Sequence, residues 1–321
     1  MLCGNNGLEN LGNTCYMNSI IQCLSHLLIF HPKNKKLINY INNKDTKLFD
    51  QWLDLNDKIW KNTSSVISPR NFIIEYINQL KIHKIDFVSF AQNDCEEFLH
   101  TLFDLLHISI KKNCSVQLKD NITDDLIIDC SKKWNKSYEK DYSYIIDRFY
   151  SQMITSTKCN ECDHISNTID PFLLLQLVIN NSTNTIYDAL NLYTNDSLDD
   201  NNKWNCDKCK HKVNANINIQ LSKTSDVLII QLKKYNNLNQ FIKYPDKLDM
   251  SNYSLNYNNK GTTYELISMS IHSGGLNGGH YYAVCKNILD KQWRIYNDSN
   301  VSLISNHLDY KPYCLFYKRI I

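Results

Sequence analysis

The sequence predicts an α+β fold, with helices in its first third and strands in its second half. Apolar residues recur at helical spacing in the segments 15–28 and 92–110. Later segments are rich in Val, Ile, Tyr and Phe and are separated by Gly, Asn and Asp, which is typical of strands and their turns. Helices that precede strands, rather than alternating with them, favour an α+β architecture.

The composition is that of a globular protein with room for a sizeable core. The chain has 321 residues, of which 43% are hydrophobic and 21% charged. Its formal net charge of +2 gives no reason to expect nucleic acid or an anionic membrane as the main partner. The N-terminus lacks the pattern of a signal peptide, and the best apolar stretch, residues 20–30, is too short to span a bilayer. We therefore expect an intracellular location, in the cytoplasm or the nucleus.

The first predicted helix begins at Cys15 and carries apolar residues at helical spacing: Met17, Ile20, Ile21, Leu24, Leu27 and Leu28. Asn13 and Thr14 precede it as plausible caps, and Pro32 follows as a stop. The second predicted helix covers residues 92–110. Its apolar residues are Phe98, Leu99, Leu102, Phe103 and Leu106.

Five segments of the second half are strand candidates: residues 227–232, 264–271, 281–286, 293–296 and 313–318. Residues 187–203 contain many Asn and Asp residues and are interpreted as an exposed loop.

Cys15 is a candidate nucleophile because it lies where the first helix should begin. Free backbone N–H groups and the positive end of the helix dipole both stabilise a thiolate. The preceding Gly12-Asn13-Thr14 favours a tight turn, which can aim N–H groups at a developing oxyanion. The local alternative is a buried cysteine that packs as a small hydrophobic residue.

A nucleophilic cysteine needs a base, and His280 is the best candidate. It follows a glycine-rich segment, residues 274–279, in which the backbone can approach closely. If strands 281–286 and 293–296 form an antiparallel hairpin, the start of the first lies beside the end of the second. His280 then lies next to Asn297 or Asp298. His26, His83, His100 and His107 on predicted helices are interpreted as surface or core residues.

Two CxxC pairs, Cys159/Cys162 and Cys206/Cys209, predict one structural Cys₄ zinc site. The gap between them indicates that the site joins two separated hairpins. Alternatives are a redox CxxC, two unrelated thiol pairs, or a site that has lost its metal. A disulfide framework is disfavoured for the chain's 12 cysteines, because no export signal is present.

At this point the chain resembles the ubiquitin-specific proteases, the papain-like deubiquitinating enzymes. Residues 7–19, GLENLGNTCYMNS, resemble the family's cysteine box, and residues 91–99, AQNDCEEFL, its glutamine-aspartate box. Residues 272–282 resemble the histidine box. Residues 171–178 and 227–235 are similar to conserved family strands, and residues 293–301 and 313–317 are similar to the family's closing motifs. The resemblance covers nearly the whole chain.

The resemblance implies one catalytic domain over residues 1–321 with a hand-like arrangement. A helical thumb would occupy about residues 1–130, zinc-bearing β fingers about 148–225, and the remaining palm sheet about 226–321. It further implies that Cys15 is the nucleophile, His280 the base and Asn297 the third member, where many relatives have aspartate. Asp298 matches a second acidic position, and Asn10 matches the side chain of the oxyanion hole.

The resemblance also implies the substrate, a ubiquitin tail that bears arginines and ends in two glycines. Asp94 and Glu97 match family positions that meet those arginines, and their alternative reading is ordinary helix N-terminal charge. Gln92, Gly279 and Tyr281 would also contact the tail, with the glycine-rich segment narrowing the channel. The implied partners are ubiquitin and ubiquitinated proteins. We expect a monomer with one structural Zn²⁺, no organic cofactor, and no nucleic-acid or membrane partner.

The sequence departs from the family pattern at two places. Asn93 replaces the usual second glutamine, and residues 233–235 read KKY where lysine-arginine-phenylalanine is usual. Three alternatives stay open at this stage: a protease for another ubiquitin-like modifier, an inactive ubiquitin-binding pseudoenzyme, and a zinc-ribbon nucleic-acid module. The near-neutral charge and the long gap between the CxxC pairs argue against the last.

Overall fold

A computed structural model describes residues 3–31, 47–61, 65–87, 91–114, 124–234, 240–255, 261–275 and 278–320. Pro32, the predicted helix stop, lies outside this part, as do Tyr235 and residues 276–277 of the glycine-rich segment.

Seven α-helices lie within the described residues: α1 Cys15–His26, α2 Lys47–Trp60, α3 Arg70–Ile82, α4 Cys95–Ile110, α5 Asp125–Tyr138, α6 Tyr144–Phe149 and α7 Ile186–Thr194. Two 3₁₀ turns cover Ser251–Tyr253 and His307–Asp309. No helix of this part of the chain is long and apolar enough to cross a membrane.

The strands up to the middle of the chain are β1 Gly7–Leu8, β2 Val66–Ile67, β3 Ser151–Cys159, β4 Ile165–Phe172, β5 Leu174–Val178, β6 Asn195–Leu198, β7 Trp204–Asn205 and β8 Lys212–Val213. The later strands are β9 Ala215–Lys223, β10 Val227–Lys233, β11 Lys247–Asp249, β12 Thr263–Gly275, β13 Gly278–Lys286, β14 Trp293–Asn297, β15 Asn300–Leu303 and β16 Pro312–Arg319. Mixed helix and sheet in this order confirms the predicted α+β class.

The chain divides into two compact units. The first comprises Met1–Lys112, Tyr142–Asp147 and Leu266–Lys318, and the second comprises Asn113–Asp141, Arg148–Glu265 and Arg319–Ile321.

In the first unit, five strands lie in the order β15–β14–β13–β12–β16. β12 and β13 are antiparallel, with Ser268 opposite Cys285, and β13 continues antiparallel into β14. The buried helix α1 lies along this sheet, where the Ser268 hydroxyl of β12 donates to the Cys23 carbonyl of α1 at 3.0 Å. Because α1 is buried on all sides, it forms the centre of this unit and not a surface helix.

In the second unit, β3 forms the middle of a sheet in the order β4–β3–β9–β6. β10 and β5 pair in parallel, and β7 and β8 form a short hairpin. The first CxxC lies at the turn between β3 and β4, and the second lies between β7 and β8. The two thiol pairs therefore sit on two separated hairpins, as predicted.

The five predicted strands are confirmed, each as part of β10, β12, β13, β14 or β16. The two predicted helices are confirmed with shifted ends. α1 ends at His26 because Leu28 turns the chain with a left-handed φ of 54°. α4 begins at Cys95 and not at residue 92, since Asp94 is extended (φ −73°, ψ 136°) and serves as the N-cap.

The predicted exposed loop at residues 187–203 is wrong. Most of it is α7 and β6. A capping box starts the helix: Thr185 Oγ1 accepts from Asp188 N at 3.1 Å, while Thr185 N donates back to the Asp188 carboxylate at 2.9 Å. Ile186, Ala189 and Leu190 then bury one helical face. Asn195 and Asp196 lie on the edge strand β6, which pairs with β9, and only residues 199–203 form the exposed turn that was predicted for the whole segment.

Candidate active site

Cys15 is the first residue of α1, and its side chain faces a nearly closed environment, with 8% of the residue exposed. The chain reaches it through a tight turn in which Gly12 (φ 103°) and Asn13 (φ 52°) are both left-handed. Thr14 occupies the N-cap position, but its side chain makes no capping bond, so the predicted cap is wrong in its chemistry. The Thr14 hydroxyl instead accepts from Leu11 N at 3.0 Å and closes the turn. The first N–H groups of α1 therefore keep their capacity to stabilise an anion.

α1 is fixed against β13, the strand that carries His280. One turn after Cys15, the Ser19 hydroxyl lies 2.6 Å from the Ser270 hydroxyl and donates to the Tyr282 carbonyl at 3.2 Å. Because Tyr282 lies two residues after His280, this contact aligns the start of α1 with the start of β13. Both proposed reacting groups thus belong to one rigid pairing of helix and strand.

His280 is half-buried and is oriented by Asn297. Its Nε2 lies 2.6 Å from Asn297 Oδ1. Because an amide oxygen only accepts hydrogen bonds, the ring proton of the neutral imidazole is on Nε2. Nδ1 then carries the free lone pair of a general base. Of the two predicted hairpin neighbours of His280, Asn297 makes the contact with the imidazole.

Asp298 makes different contacts. Its Oδ2 accepts from Asn10 Nδ2 at 2.9 Å, and its Oδ1 accepts from Asn18 Nδ2 at 2.7 Å. Its backbone is left-handed (φ 48°) in the two-residue turn between β14 and β15, and its carbonyl accepts from Leu8 N at 2.8 Å. A non-glycine residue in this conformation is held by its surroundings, here by three hydrogen bonds.

The Asn10 side chain is held at both of its polar atoms. Oδ1 accepts from Gly12 N at 3.0 Å, from Thr14 N at 3.2 Å and from the Thr14 hydroxyl at 3.2 Å. Because three donors face this atom, it is the oxygen of the amide. The Nδ2 group with its two N–H donors therefore points away from the turn. One of them meets Asp298, and the second is available for a developing oxyanion.

Asp94 is engaged within its own surroundings. Its Oδ1 accepts from Glu96 N at 3.0 Å and from the Tyr281 hydroxyl at 3.4 Å, and its Oδ2 accepts from the Tyr313 hydroxyl. Burial raises the pKa of both tyrosines, so they remain protonated donors. Asp94 is therefore the N-cap of α4 and an anchor for two aromatic side chains, while its contact with the ubiquitin tail stays a prediction.

Glu97 and Gln92 are exposed at the same end of α4. The Gln92 amide lies over the glycine-rich segment, where a Cβ added to Gly278 would come within 2.9 Å of Gln92 Oε1. Asn93, the departure from the family box, donates to the buried Tyr16 hydroxyl at 3.2 Å. The amide of Asn93 therefore serves the aromatic core beside the nucleophile helix.

The glycines before His280 allow a close approach of β12 and β13. A Cβ on Gly279 would lie 2.3 Å from His272 Nε2, and a Cβ on Gly274, at φ 137°, would lie 2.6 Å from Gly279 Cα. His272 is pressed against the Tyr281 ring at 4.6 Å between centroids. Burial lowers the pKa of His272, and the charge of Asp94 opposes that shift. The neutral rings of His272 and Tyr281, together with the backbone of the neighbouring glycines, form what we call the aromatic wall.

The four predicted metal ligands cluster in the second unit. Their sulfur atoms all lie within 4.8 Å of one another, with Cys159 to Cys209 at 3.8 Å and Cys162 to Cys206 at 3.7 Å. Four sulfurs about 2.3 Å from a tetrahedral Zn²⁺ lie about 3.8 Å apart. Backbone N–H groups of Glu161 and Cys162 point at the Cys159 sulfur at 3.4 Å. The donor set and its spacing fit a tetrahedral thiolate site, and the four residues form a cluster that can hold a metal ion.

Three residues at the site received no role from the sequence: Asn18, His272 and Tyr313. Asn18 lies within the cysteine box and three residues after Cys15, hence on the same helical face, and that spacing was a readable signal. Tyr313 was recognised only as part of a strand, because its contact with Asp94 joins positions 219 residues apart.

Known proteins match this chain over nearly its whole length. The sequence model described as ubiquitin carboxyl-terminal hydrolase matches residues 6–317. The ubiquitin carboxyl-terminal hydrolase Usp2 of Drosophila melanogaster is 30% identical over 335 residues, covering 98% of this chain and 34% of the fly protein. Human ubiquitin carboxyl-terminal hydrolase 2 is 30% identical over 337 residues, covering 97% of this chain and 54% of the human protein. This chain therefore spans about a third and about half of those two relatives.

A solved structure shares the fold along nearly the full length. It is described as the SAGA Ubp8/Sgf11/Sus1/Sgf73 DUB module bound to ubiquitin aldehyde, and it matches with a TM-score of 0.75 and 27% identity. The match covers 99% of this chain and 70% of that one. The cysteine, glutamine-aspartate and histidine boxes, the family match over residues 6–317 and this shared fold lead to one conclusion: the chain belongs to the ubiquitin carboxyl-terminal hydrolase family.

Proposed function

We propose that this protein is a thiol-dependent deubiquitinase, which hydrolyses the peptide or isopeptide bond after the C-terminal glycine of ubiquitin. The observation that carries the proposal is the 2.6 Å contact between His280 Nε2 and Asn297 Oδ1, on a strand fixed to the helix that begins with Cys15. A nucleophile, a base and an orienting group in this order form the working arrangement of a papain-like site.

In this mechanism Nδ1 of His280 takes the proton of the Cys15 thiol. The thiolate, stabilised by the N-terminus of α1, attacks the carbonyl carbon of the terminal glycine. The free N–H of Asn10 then donates to the oxyanion of the tetrahedral intermediate. The imidazolium returns its proton to the leaving amine, and water hydrolyses the thioester with His280 acting as base again. Asn297 keeps the ring angle and tautomer throughout but supplies no negative charge.

For the ubiquitin tail we propose that Glu97 is the carboxylate that meets an arginine, because it is exposed at the start of α4. Asp94 would act mainly through Tyr281 and Tyr313, since it accepts a hydrogen bond from the hydroxyl of each. Gln92, Gly279 and the aromatic wall would line a narrow channel for the Gly-Gly end of the tail, as the family resemblance implies. The ubiquitin-bound structure with the shared fold supports ubiquitin as the substrate.

We further propose that the four-cysteine cluster holds one structural Zn²⁺ on the hairpin ends of a fingers subdomain. Four thiolates complete the coordination shell, so the metal supplies cross-linking and no reaction chemistry. The division into thumb, fingers and palm, the monomeric state and the location in the cytoplasm or nucleus are likewise proposals from the family resemblance.

The test is turnover of ubiquitin that carries a fluorogenic C-terminal amide, with the Cys15→Ala variant as control. We expect turnover by the wild-type protein alone, and a single covalent adduct on Cys15 when ubiquitin bearing a C-terminal electrophile is used. Binding of ubiquitin without turnover identifies a pseudoenzyme. Faster reaction with an electrophile-bearing modifier other than ubiquitin identifies a protease of that modifier instead.

A further inference from the structure

Asn18 lies three residues after Cys15, on the same face of the nucleophile helix. We infer that Asn18 is a positioning residue, which holds Asp298 in place and through it the oxyanion donor Asn10. The inference rests on the proposed hydrolase function. It assigns Asn18 no contact with substrate and no part in proton transfer.

The orientation of the Asn18 amide is determined by what it faces. Its Nδ2 lies 2.7 Å from Asp298 Oδ1 and 3.2 Å from the Glu9 carbonyl oxygen. If the amide were reversed, Asn18 Oδ1 would lie at hydrogen-bond distance from these two oxygen atoms, and neither of them can donate. Asn18 is therefore a donor to both, and the bond to the carboxylate is charge-assisted.

Stability alone does not explain an asparagine at this position. Asn18 is 2% exposed, and its buried Oδ1 has no hydrogen-bond partner among the described residues. An unmet buried acceptor is unfavourable for folding, whereas an apolar side chain of similar volume has no such group. Because Asn18 is present despite the unfavourable free energy of its unpaired oxygen, we expect it to have the task of positioning another group.

That task follows from the two oxygens of Asp298. One oxygen meets Asn18 and the other meets Asn10, so the carboxylate bridges the nucleophile helix and the oxyanion donor. Asp298 needs such support, because its backbone is left-handed in a two-residue turn. Since Asn18 and Cys15 belong to one helix, Asn18 fixes the distance between the attacking sulfur and the amide that receives the oxyanion. A displacement of about 1 Å at such a site lowers the rate by about 100-fold.

The first test is the Asn18→Leu variant, which keeps the side-chain volume and removes both the donor and the unmet acceptor. We expect kcat on a ubiquitin C-terminal amide to fall by about 10- to 100-fold, with KM retained and a melting temperature that still leaves the protein folded at the assay temperature, since two hydrogen bonds are lost together with one unpaired acceptor. Alkylation of Cys15 by iodoacetamide forms no oxyanion, so its rate should stay at the wild-type value. Unchanged kcat in this folded variant, or an equal loss in alkylation, overturns the inference.

Gln22 offers a matched control one turn further along α1. It is also 2% exposed, also has an unmet side-chain oxygen, and donates to the Asn6 carbonyl at 2.9 Å. Gln22→Leu should leave kcat unchanged. A loss of kcat equal to that of Asn18→Leu would mean that any change in this buried helix disturbs the site, which contradicts the specific role.

A reciprocal exchange gives the sharpest test. In the double variant Asn18→Asp with Asp298→Asn, the carboxylate on α1 accepts from the amide nitrogen at position 298, and the amide oxygen there still accepts from Asn10. The same carboxylate also faces the Glu9 carbonyl oxygen, which limits the recovery. Each single exchange should lower kcat, and the pair should recover part of the loss. In an Asn10→Ala background, Asn18→Leu should have little further effect. Additive losses in both experiments overturn the inference, whereas an inactive wild-type protein overturns the proposed function itself.

Discussion

His280 donates from Nε2 to Oδ1 of Asn297 across 2.6 Å, so an amide and not a carboxylate orients the imidazole. Asn297→Ala should lower kcat by about 100-fold or more, because the ring loses its fixed angle and tautomer. Asn297→Asp should retain much of the activity. A carboxylate there stabilises the protonated ring, so the acidic limb of the pH–rate profile should move to higher pH.

Asp298 provides the contrast for this prediction. It contacts Asn10 and Asn18, so Asp298→Ala should lower kcat without moving the acidic limb. A large shift of that limb in Asp298→Ala, together with an active Asn297→Ala, would show that Asp298 supports the base and that Asn297 does not.

Glu97 and Asp94 should respond differently to substitution. Glu97→Gln should raise KM for ubiquitin amides and leave a short Gly-Gly ester unaffected, because the ester lacks the arginines that the carboxylate would bind. Asp94→Ala should lower the free energy of unfolding by about 1 kcal/mol, as expected for a lost N-cap, and should affect both substrates. Glu96→Gln, in the same first turn, is the matched control for Glu97. Equal effects of Glu97→Gln on both substrates would indicate a structural role.

Removal of one metal ligand should destabilise the second unit. Purified protein is expected to contain one zinc per chain by elemental analysis, and Cys206→Ser should lose the metal and lower the melting temperature. Cys130→Ser, at another buried cysteine of the same unit, should keep the zinc. A zinc-free wild-type preparation that melts like the loaded protein would refute the structural role of the metal.

His26 predicts loss of stability in mild acid. Burial lowers its pKa from 6.5 to about 4, opposed by hydrogen bonds with the Gln22 and Gly4 carbonyls and aided by the charge of Arg294. Between these pH values the unfolded chain binds the proton and the folded chain does not. Stability is therefore fully present above pH 6.5 and falls as the pH approaches 4. The total effect is about 3 kcal/mol.

The check is denaturant unfolding at several pH values for wild type and His26→Gln, whose side chain does not titrate. The slope of the free energy of unfolding between pH 6.5 and 4 should be smaller in the variant. His83→Gln, at an exposed histidine, should keep the wild-type slope. An identical slope in all three proteins would show that other groups control the acid response.

Local patterns predicted much of the site. The hairpin of β13 and β14 follows from apolar runs with a short turn between them, and it alone predicted that His280 meets Asn297 or Asp298. The spacing of the CxxC pairs likewise predicted the cysteine cluster. These inferences succeeded because the interacting residues are close in sequence or share one geometric rule.

Other features depend on contacts that no local rule contains. The choice between Asn297 and Asp298 is made by Asn10 and Asn18, which hold the Asp298 carboxylate from positions 288 and 280 residues away. The Tyr313 hydroxyl on Asp94 is equally remote from local reasoning. The mistaken loop at residues 187–203 is a different case. There, the composition favours a loop, whereas the capping box at Thr185 and Asp188 indicates the start of a helix.

The close approach of Gly7 to the Asp298–Ser299 turn has a consequence for how the protein folds. A Cβ on Gly7 would lie 2.5 Å from the Ser299 carbonyl oxygen, so β1 and this turn are in direct backbone contact. Contacts between such distant parts of a chain form late, since loop closure opposes them until most of the structure exists. During synthesis, the nucleophile helix therefore emerges long before its base and its oxyanion support. The nascent chain should remain inactive towards ubiquitin until the segment that follows β14 has left the ribosome.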